Sequence, residues 1–299
     1  MPEKTDLNIT PYFDDYSEDK LFHKVLYRAG RPLQARELTQ SQTILQNQIE
    51  RLGDHFFEEG SIVSGAQSDV DMDIYYVKVD SANPNGSGDT AAESYREASH
   101  DKYYQGQTTG VIAKVFYSSA QTTTDSLTLY VRFQSQGTGT GNEAGFAAGE
   151  NLRQVTVNAN GVAADVGDDN NDFEIVATAA TGRSSIANIS EGIMFLRGFF
   201  CKVDAQTLIL DKYSGKPSYR VGLTITEELI GSATDTTLLD NAQGSSNENA
   251  AGADRLKMSL SLSKYSLESV EDANFVELIR VNQGILELKI TNPQYSEIE

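Results

Sequence analysis

Tryptophan is absent from this chain of 299 residues, and cysteine, histidine and proline number one, three and six. One cysteine cannot form an internal disulfide, and the apolar run from Gly198 to Val203 around Cys201 predicts a buried, unreactive thiol. No apolar run approaches the roughly 20 residues of a membrane-spanning helix, and the first residues show no charged-then-apolar leader. We therefore expect a protein that is made in a reducing cytoplasm and has no membrane partner.

Basic residues are also scarce, since 24 lysines and arginines face 43 aspartates and glutamates, giving a net charge of −19. Such a surface repels phosphate, so nucleic acid and anionic lipid are not expected as partners. The simplest interpretation of the charge is that it keeps a large β-rich protein soluble.

Motifs that carry chemistry are missing as well. His23, His55 and His100 have no carboxylate or cysteine at metal-ligand spacing, and HExxH, CxxC, P-loop and GxSxG motifs do not occur. Two acidic runs, Asp69 to Asp73 and Asp168 to Asp172, resemble fragments of calcium loops, but a solvated surface is the preferred interpretation. We expect no enzyme activity, no catalytic residue, no cofactor and no metal.

The chain divides by composition and periodicity into four parts. We predict an acidic N-terminal arm (1–30), an assembly helix (31–60), a β-rich body (61–81 and 186–299) and an inserted β domain (82–185). Residues 81–101 are rich in Gly, Ser, Asn and Asp, which is typical of a surface loop or boundary. The expected fold is mainly β with an N-terminal α-helical segment: a short coiled-coil helix followed by β-sandwich or barrel-like domains.

The helix is predicted from about Gln34 to Phe57. Apolar residues and one glutamine recur at alternating spacings of four and three, which is a coiled-coil seam of roughly three heptads. The seam consists of Leu38, Gln42, Leu45, Ile49, Leu52 and Phe56. A helix that packs on its own domain is the commoner use of an amphipathic pattern. The narrow stripe and the polar Gln42, which would control register if buried, favour self-association instead.

The arm carries aromatic residues but is too short to form a core. Tyr12, Phe13 and Phe22 therefore need burial on the rest of the chain or on a partner, and we predict that they form a partner-docking arm.

Period-two patterns predict strands through the rest of the chain. Tyr219 to Thr226 and the residues after Leu256 alternate between apolar and polar. Asn282-Gln283-Gly284 predicts a hairpin turn between two final strands, with the glycine at a position of positive φ.

Two stretches of the sequence are more specific indicators of a protein family than any of these patterns. The first comprises Pro11–Tyr16, Val25–Gln40, Gln42, Leu45, Gln48-Ile49 and Gly60–Val63. The second runs from Gly198-Phe199-Phe200 through Leu208–Asp211, Ser218–Leu223 and Glu227 to Leu238–Asn247 and Ala250–Leu256. Together they resemble a family of tailed-phage virion proteins, known mostly from T4-like and cyanobacterial myoviruses and described as tail fibre or baseplate structural proteins. The chain departs from the family's pattern at Asn241 and Ala251, where prolines are common, and relatives continue past the position of Glu299.

The resemblance implies a structural virion protein of a phage tail that attaches a fibre to the baseplate. It implies a homotrimer whose partners are copies of itself and other tail or baseplate proteins, located in the virion tail and in the host cytoplasm before assembly. The alternatives are recognition of host-surface glycan by the inserted domain, or a role as a baseplate wedge component.

Overall fold

The computed structural model describes residues 5–80, 92–135, 145–159, 161–166, 172–176, 180–270 and 272–291. It confirms the expected fold class, because one N-terminal helix is followed by antiparallel sheets in a mainly β chain.

Helix α1 spans Ala35–Phe56, within one residue of the prediction at each end. Its first turn is capped because the Glu37 carboxylate accepts a hydrogen bond from the Gln34 backbone N–H at 3.1 Å. The helix ends where Phe57 becomes extended (φ −123°, ψ 142°). Leu and Gln, both good helix formers, fill much of the span between these ends.

A second α-helix, α2 (Ala92–Tyr95), is one turn long, and short 3₁₀ helices span Glu18–Lys20, Glu97–Ser99 and Thr236–Leu238. The strands in the described part of the chain are β1 Ser61–Gly65, β2 Ser68–Val79, β3 Tyr103–Gly106, β4 Ile112–Ser119, β5 Leu127–Ser135, β6 Asn151–Val157, β7 Ala163–Asp165, β8 Phe173–Glu174, β9 Thr181–Ile189, β10 Gly192–Leu196, β11 Phe199–Val203, β12 Gln206–Asp211, β13 Tyr219–Ile230, β14 Arg255–Ser266, β15 Phe275–Asn282 and β16 Ile285–Lys289.

The longest sheet has the order β12-β9-β2-β5-β4-β3-β6-β7, with β8 added on β6. Strands from the predicted insertion, 82–185, thus share a sheet with strands of the predicted body, since β5 pairs with β2 along Tyr75 to Val79. A second cluster of buried side chains lies around Tyr104, Leu129 and Phe173, and Val77 and Val79 of the predicted body contribute to it. The shared sheet and the shared cluster connect the predicted insertion to the body, and the domain boundaries stay a prediction.

The described residues form two smaller sheets as well, with orders β1-β10-β11 and β14-β13-β15-β16. In the second, the predicted hairpin turn is confirmed: Asn282 pairs with Ile285, and Gln283 and Gly284 have φ of 50° and 76°. The predicted alternation of β14 places Leu262 in the core.

The main core lies where the three sheets face one another. Its buried side chains come from β1, β9, β10, β11, β12, β13, β14 and β15. Large members such as Met194, Leu196 and Leu223 are fully buried. Packing of sheet on sheet around one apolar layer is the arrangement of a β-sandwich.

A buried ion pair joins this core to the N-terminal part of the chain. Arg197 bonds to Glu227 of β13, and each side chain is only 6% exposed. The Arg197 guanidinium also donates to the Asn274 side chain at 2.6 Å, and its backbone N–H donates to Glu59 at 2.9 and 3.0 Å. Glu227 in turn accepts from the Thr5 backbone N–H and hydroxyl. The network therefore links the arm, the exit of α1, the β10–β11 hairpin and the C-terminal sheet.

Replacing Arg197 by Met should lower the free energy of unfolding by about 3–5 kcal/mol, because Glu227 would be left buried without its cation. Chemical denaturation measures the change. Arg183→Met, which removes an exposed pair with Asp73, is the matched control and should cost at most about 1 kcal/mol. Equal losses of unfolding free energy for the two variants would show that the buried network stabilises the fold no more than an exposed ion pair does.

Candidate assembly interface

The predicted seam lies on the exposed face of α1. All six residues, Leu38, Gln42, Leu45, Ile49, Leu52 and Phe56, are exposed to solvent. Leu45 and Leu52 retain 64% and 61% of their accessible surface. The chain's own body therefore leaves this apolar stripe uncovered, and Gln42 is exposed with it.

The opposite face of α1 is occupied by the N-terminal arm. At about 100° per residue, Gln40, Thr43, Asn47 and Arg51 point away from the seam. Each of them bonds to a carboxylate of the arm. The pairs are Thr43–Asp14 (2.5 Å), Gln40–Asp15 (3.2 Å), Asn47–Glu18 (2.6 Å) and Arg51–Glu18 (2.9 Å). These contacts fix the rotation of the helix, so the seam is held outward by polar bonds on its reverse side.

One flank of the seam rests on the β10–β11 hairpin. The Gln46 amide donates to the Gly198 carbonyl at 2.7 Å. Gly53 is buried against the Phe195 ring, and a Cβ at Gly53 would lie 2.3 Å from Phe195 Cε2. The Phe200 ring, 47% exposed, packs edge-on against Phe57 and extends the apolar surface at the C-terminal end of α1.

The structure places the three aromatic residues of the predicted docking arm in two different environments. The Tyr12 hydroxyl donates to Asp254 at 2.5 Å, so this aromatic residue docks on its own chain. Phe13 and Phe22 stay 55% and 57% exposed. Contact with a partner remains a prediction for these two residues, whereas Tyr12 has an intramolecular role.

The acidic side chains that resemble parts of calcium loops form ion pairs with basic residues of the same chain. Asp69, Asp71 and Asp73 pair with Lys289, Arg132 and Arg183, respectively, so they do not converge on one point. Searching the described residues finds no group of three His, Cys, Asp or Glu side chains that could hold a metal. The other acidic run lies outside these residues apart from Asp172.

Cys201 and His100 are both placed in packed surroundings. Burial raises the pKa of the Cys201 thiol to about 11, which matches the prediction of an unreactive group. His100 Nε2 lies 2.7 Å from Ser118 Oγ, but Ser118 is 2% exposed, so a substrate could not reach this hydroxyl. Burial, followed by the nearby Arg96, lowers the pKa of His100.

In the ranges that the structure covers, no helix is both long enough and apolar enough to cross a membrane.

Several residues of the interface were missed by sequence reasoning. Gly53 carried a signal, because an isolated glycine inside a helix often marks a close approach. Asp14, Asp15 and Glu18 carried none, since a carboxylate on an acidic arm gives no hint of its partner in a helix 25 or 29 residues away.

Residues 10–91 and 152–299 match the model of a family described as a domain of unknown function (DUF4815). The match spans well over half of the chain, so this protein belongs to that family. No curated protein matches the chain, and no solved structure does either.

Gly53→Ala should lower stability by about 1–3 kcal/mol, although alanine is the better helix former, because the added methyl group overlaps a fully buried Phe195 ring. Thermal or chemical unfolding measures the effect. Gln48→Ala, at an exposed position of the same helix, is the control and should be neutral. A stabilised Gly53→Ala protein would contradict this close packing.

Glu50→Gln should raise stability at pH 7 by a fraction of a kcal/mol. Burial, followed by the nearby Asp54, raises the pKa of Glu50, so its ionised form is disfavoured in the folded chain. The wild type regains this stability as the pH falls toward the ordinary range of a glutamate, because the carboxyl then takes up a proton. The difference in stability between Glu50→Gln and the wild type should therefore shrink on acidification. The melting temperatures of both proteins between pH 7 and pH 4 measure this difference. An advantage that grows with acid would contradict the raised pKa.

Proposed function

We propose that this chain is a structural protein of a bacteriophage tail, which attaches a fibre to the baseplate and assembles as a homotrimer through the seam of α1. One observation carries the assembly part: the seam is exposed on a helix whose other surfaces are already bound by the arm and the β10–β11 hairpin. An apolar stripe of strict four-three spacing fits a second helix of the same kind.

The virion role is supported by the resemblance of the two stretches named above, which also meet in space. Tyr12 of the first stretch donates a hydrogen bond to Asp254 of the second, in the loop before β14. Gln46, which follows Leu45 in α1, donates to Gly198 at the start of the second stretch. The two stretches are thus in contact.

A trimer explains the polar residue in the seam. Gln42 is exposed in the single chain, but it would lie in the core of a three-helix bundle, one heptad before Ile49. A buried polar residue at such a position specifies register and oligomer state at some cost in stability.

Leu45→Asp together with Ile49→Asp should leave the chain folded and make it monomeric at micromolar concentration, because burying the two charges in a bundle costs several kcal/mol. Light scattering gives the mass and circular dichroism the fold. The control is Leu288→Asp with Ile285→Asp, the same changes at exposed positions of β16, which should leave the trimer intact. A wild-type monomer, or normal assembly of the seam variant, would refute the assembly part.

The virion part has a separate test. Antibodies raised against the purified protein should label the tail end of the particles in electron micrographs, at the point where fibres attach. Label on a baseplate wedge would favour the alternative role of a wedge component, and absence from purified particles would refute the virion role.

A further inference from the structure

The segment between the arm and the helix has a charge opposite to that of the protein. Residues 20–36 contain Lys20, Lys24, Arg28, Arg31 and Arg36 and no aspartate or glutamate. The whole chain carries −19 and this segment +5, so the remainder carries −24. The arm predicted as acidic over 1–30 is thus acidic only as far as Asp19. We call residues 20–36 the basic strap.

The basic strap is exposed along its length. Every residue from Lys20 to Arg36 is exposed except the half-buried Val25. The exposed side chains include large apolar ones, since Leu21 and Leu26 keep 74% and 77% of their surface. A basic segment that also displays apolar side chains is suited to docking on an acidic surface.

Three cations of the basic strap are distinguished from the two at its ends. Lys20 and Arg36, at the ends of the strap, both face Asp15, at 3.1 and 3.9 Å. Within the part of the chain that the structure describes, Lys24, Arg28 and Arg31 form no ion pair. Two carboxylates of the N-terminal arm, Asp14 and Glu18, bond to α1 instead of to these cations.

The strap is longer than its own path requires. Glu18 lies beside Asn47. Because an α-helix rises about 1.5 Å per residue, Asn47 and Gln34 are separated by about 20 Å along α1. The residues between Glu18 and Gln34 could span about 50 Å when extended, so they have slack enough to reach about 20 Å sideways. Packed helices lie about 8–10 Å apart, so a neighbouring helix and its arm fall within that reach.

The seam itself provides little charge-based selection of partners. In the register that puts Leu38, Leu45 and Leu52 at d, the flanking positions are Thr39, Ser41, Gln46, Gln48, Gly53 and His55. Such positions commonly hold the glutamates and lysines that pair neighbouring helices. Their neutrality here leaves charge recognition to groups outside the helix, and the basic strap leads directly into its first turn.

We propose that the basic strap docks on a second copy of this chain, against the acidic arm (residues 5–19) of the neighbour in the bundle. The inference rests on the self-association part of the proposed function. The arm carries five carboxylates and no cation. Asp14, Asp15 and Glu18 are already bonded within their own chain. Asp6 and Asp19 are exposed and form no ion pair among the described residues, so these two present negative charge to the strap of an adjacent copy. Apolar residues of the strap would be covered in the same contact.

The negative charge of the rest of the chain favours a second copy, rather than a phosphate-bearing partner, as the binding partner of the basic strap. A nucleic acid or an anionic membrane that approached the strap would also meet a chain whose remainder carries −24, and this field is repulsive beyond the strap itself. The same field draws a basic segment toward another copy.

The test is the dissociation constant of the full-length oligomer, measured by sedimentation velocity at 50 mM and 500 mM NaCl. Lys24→Glu with Arg28→Glu should raise this constant at least about tenfold at low salt. The difference should narrow at high salt because exposed charges are screened. The matched control, Lys102→Glu with Lys216→Glu, changes the net charge equally at exposed positions and should behave as the wild type.

The outcomes separate the two proposals. If Lys24→Glu with Arg28→Glu matches the control while the seam variant is monomeric, the strap contact is refuted and the seam stands. If the strap variant dissociates and the seam variant does not, the strap stands and the seam is refuted. A wild-type monomer refutes both. Binding of phosphatidylglycerol vesicles or single-stranded DNA that requires Lys24 and Arg28, with unchanged self-association, also refutes docking on a second copy.

Discussion

The buried pair of Arg197 and Glu227 is the interaction on which the arrangement of this chain depends. Two charges that are withdrawn from water need close geometry and further hydrogen bonds, and the additional partners here come from Thr5, Glu59 and Asn274. These residues stand at the start of the arm, at the exit of α1 and before β15. Arg197 also has a φ of 50°, a conformation that a non-glycine side chain adopts at some cost and that this network holds in place. The helix is thereby tied to the sandwich at its exit, and through the arm along its reverse face.

A helix held in this way offers its exposed face to a partner at low entropic cost. Side chains on a fixed helix need little ordering on association, so more of the gain from burying them remains as affinity. In the proposed trimer, the seam and the basic strap would have complementary roles. The seam would supply apolar area that any similar helix could use, whereas opposite charges on adjacent segments would select copies of this chain and speed their encounter.

The sequence predicted local features well and long-range ones poorly. Period-two and heptad patterns located α1 within one residue and the turn at Gln283-Gly284, because these depend on neighbours along the chain. Whether the seam faces its own domain could not be read from periodicity, since both arrangements use the same stripe. The answer lies in contacts such as Thr43 with Asp14, whose separation of 29 residues leaves no periodic trace. Arg197 and Glu227 were unpredictable for the same reason, and so was the pairing of β5 with β2, which brings the predicted insertion into the body's sheet.

The order of the long sheet limits how relatives of this protein can differ in length. The family match leaves out 92–151, and strands β5, β4 and β3 from that segment lie between β2 and β6. Each neighbouring pair from β2 to β6 is antiparallel, so β2 and β6 run in the same direction. Removing one strand, or all three, would make the new neighbours parallel, whereas removing two neighbouring strands (β5 with β4, or β4 with β3) preserves the alternation. A family member that keeps an antiparallel sheet here should therefore gain or lose strands in pairs, as whole hairpins.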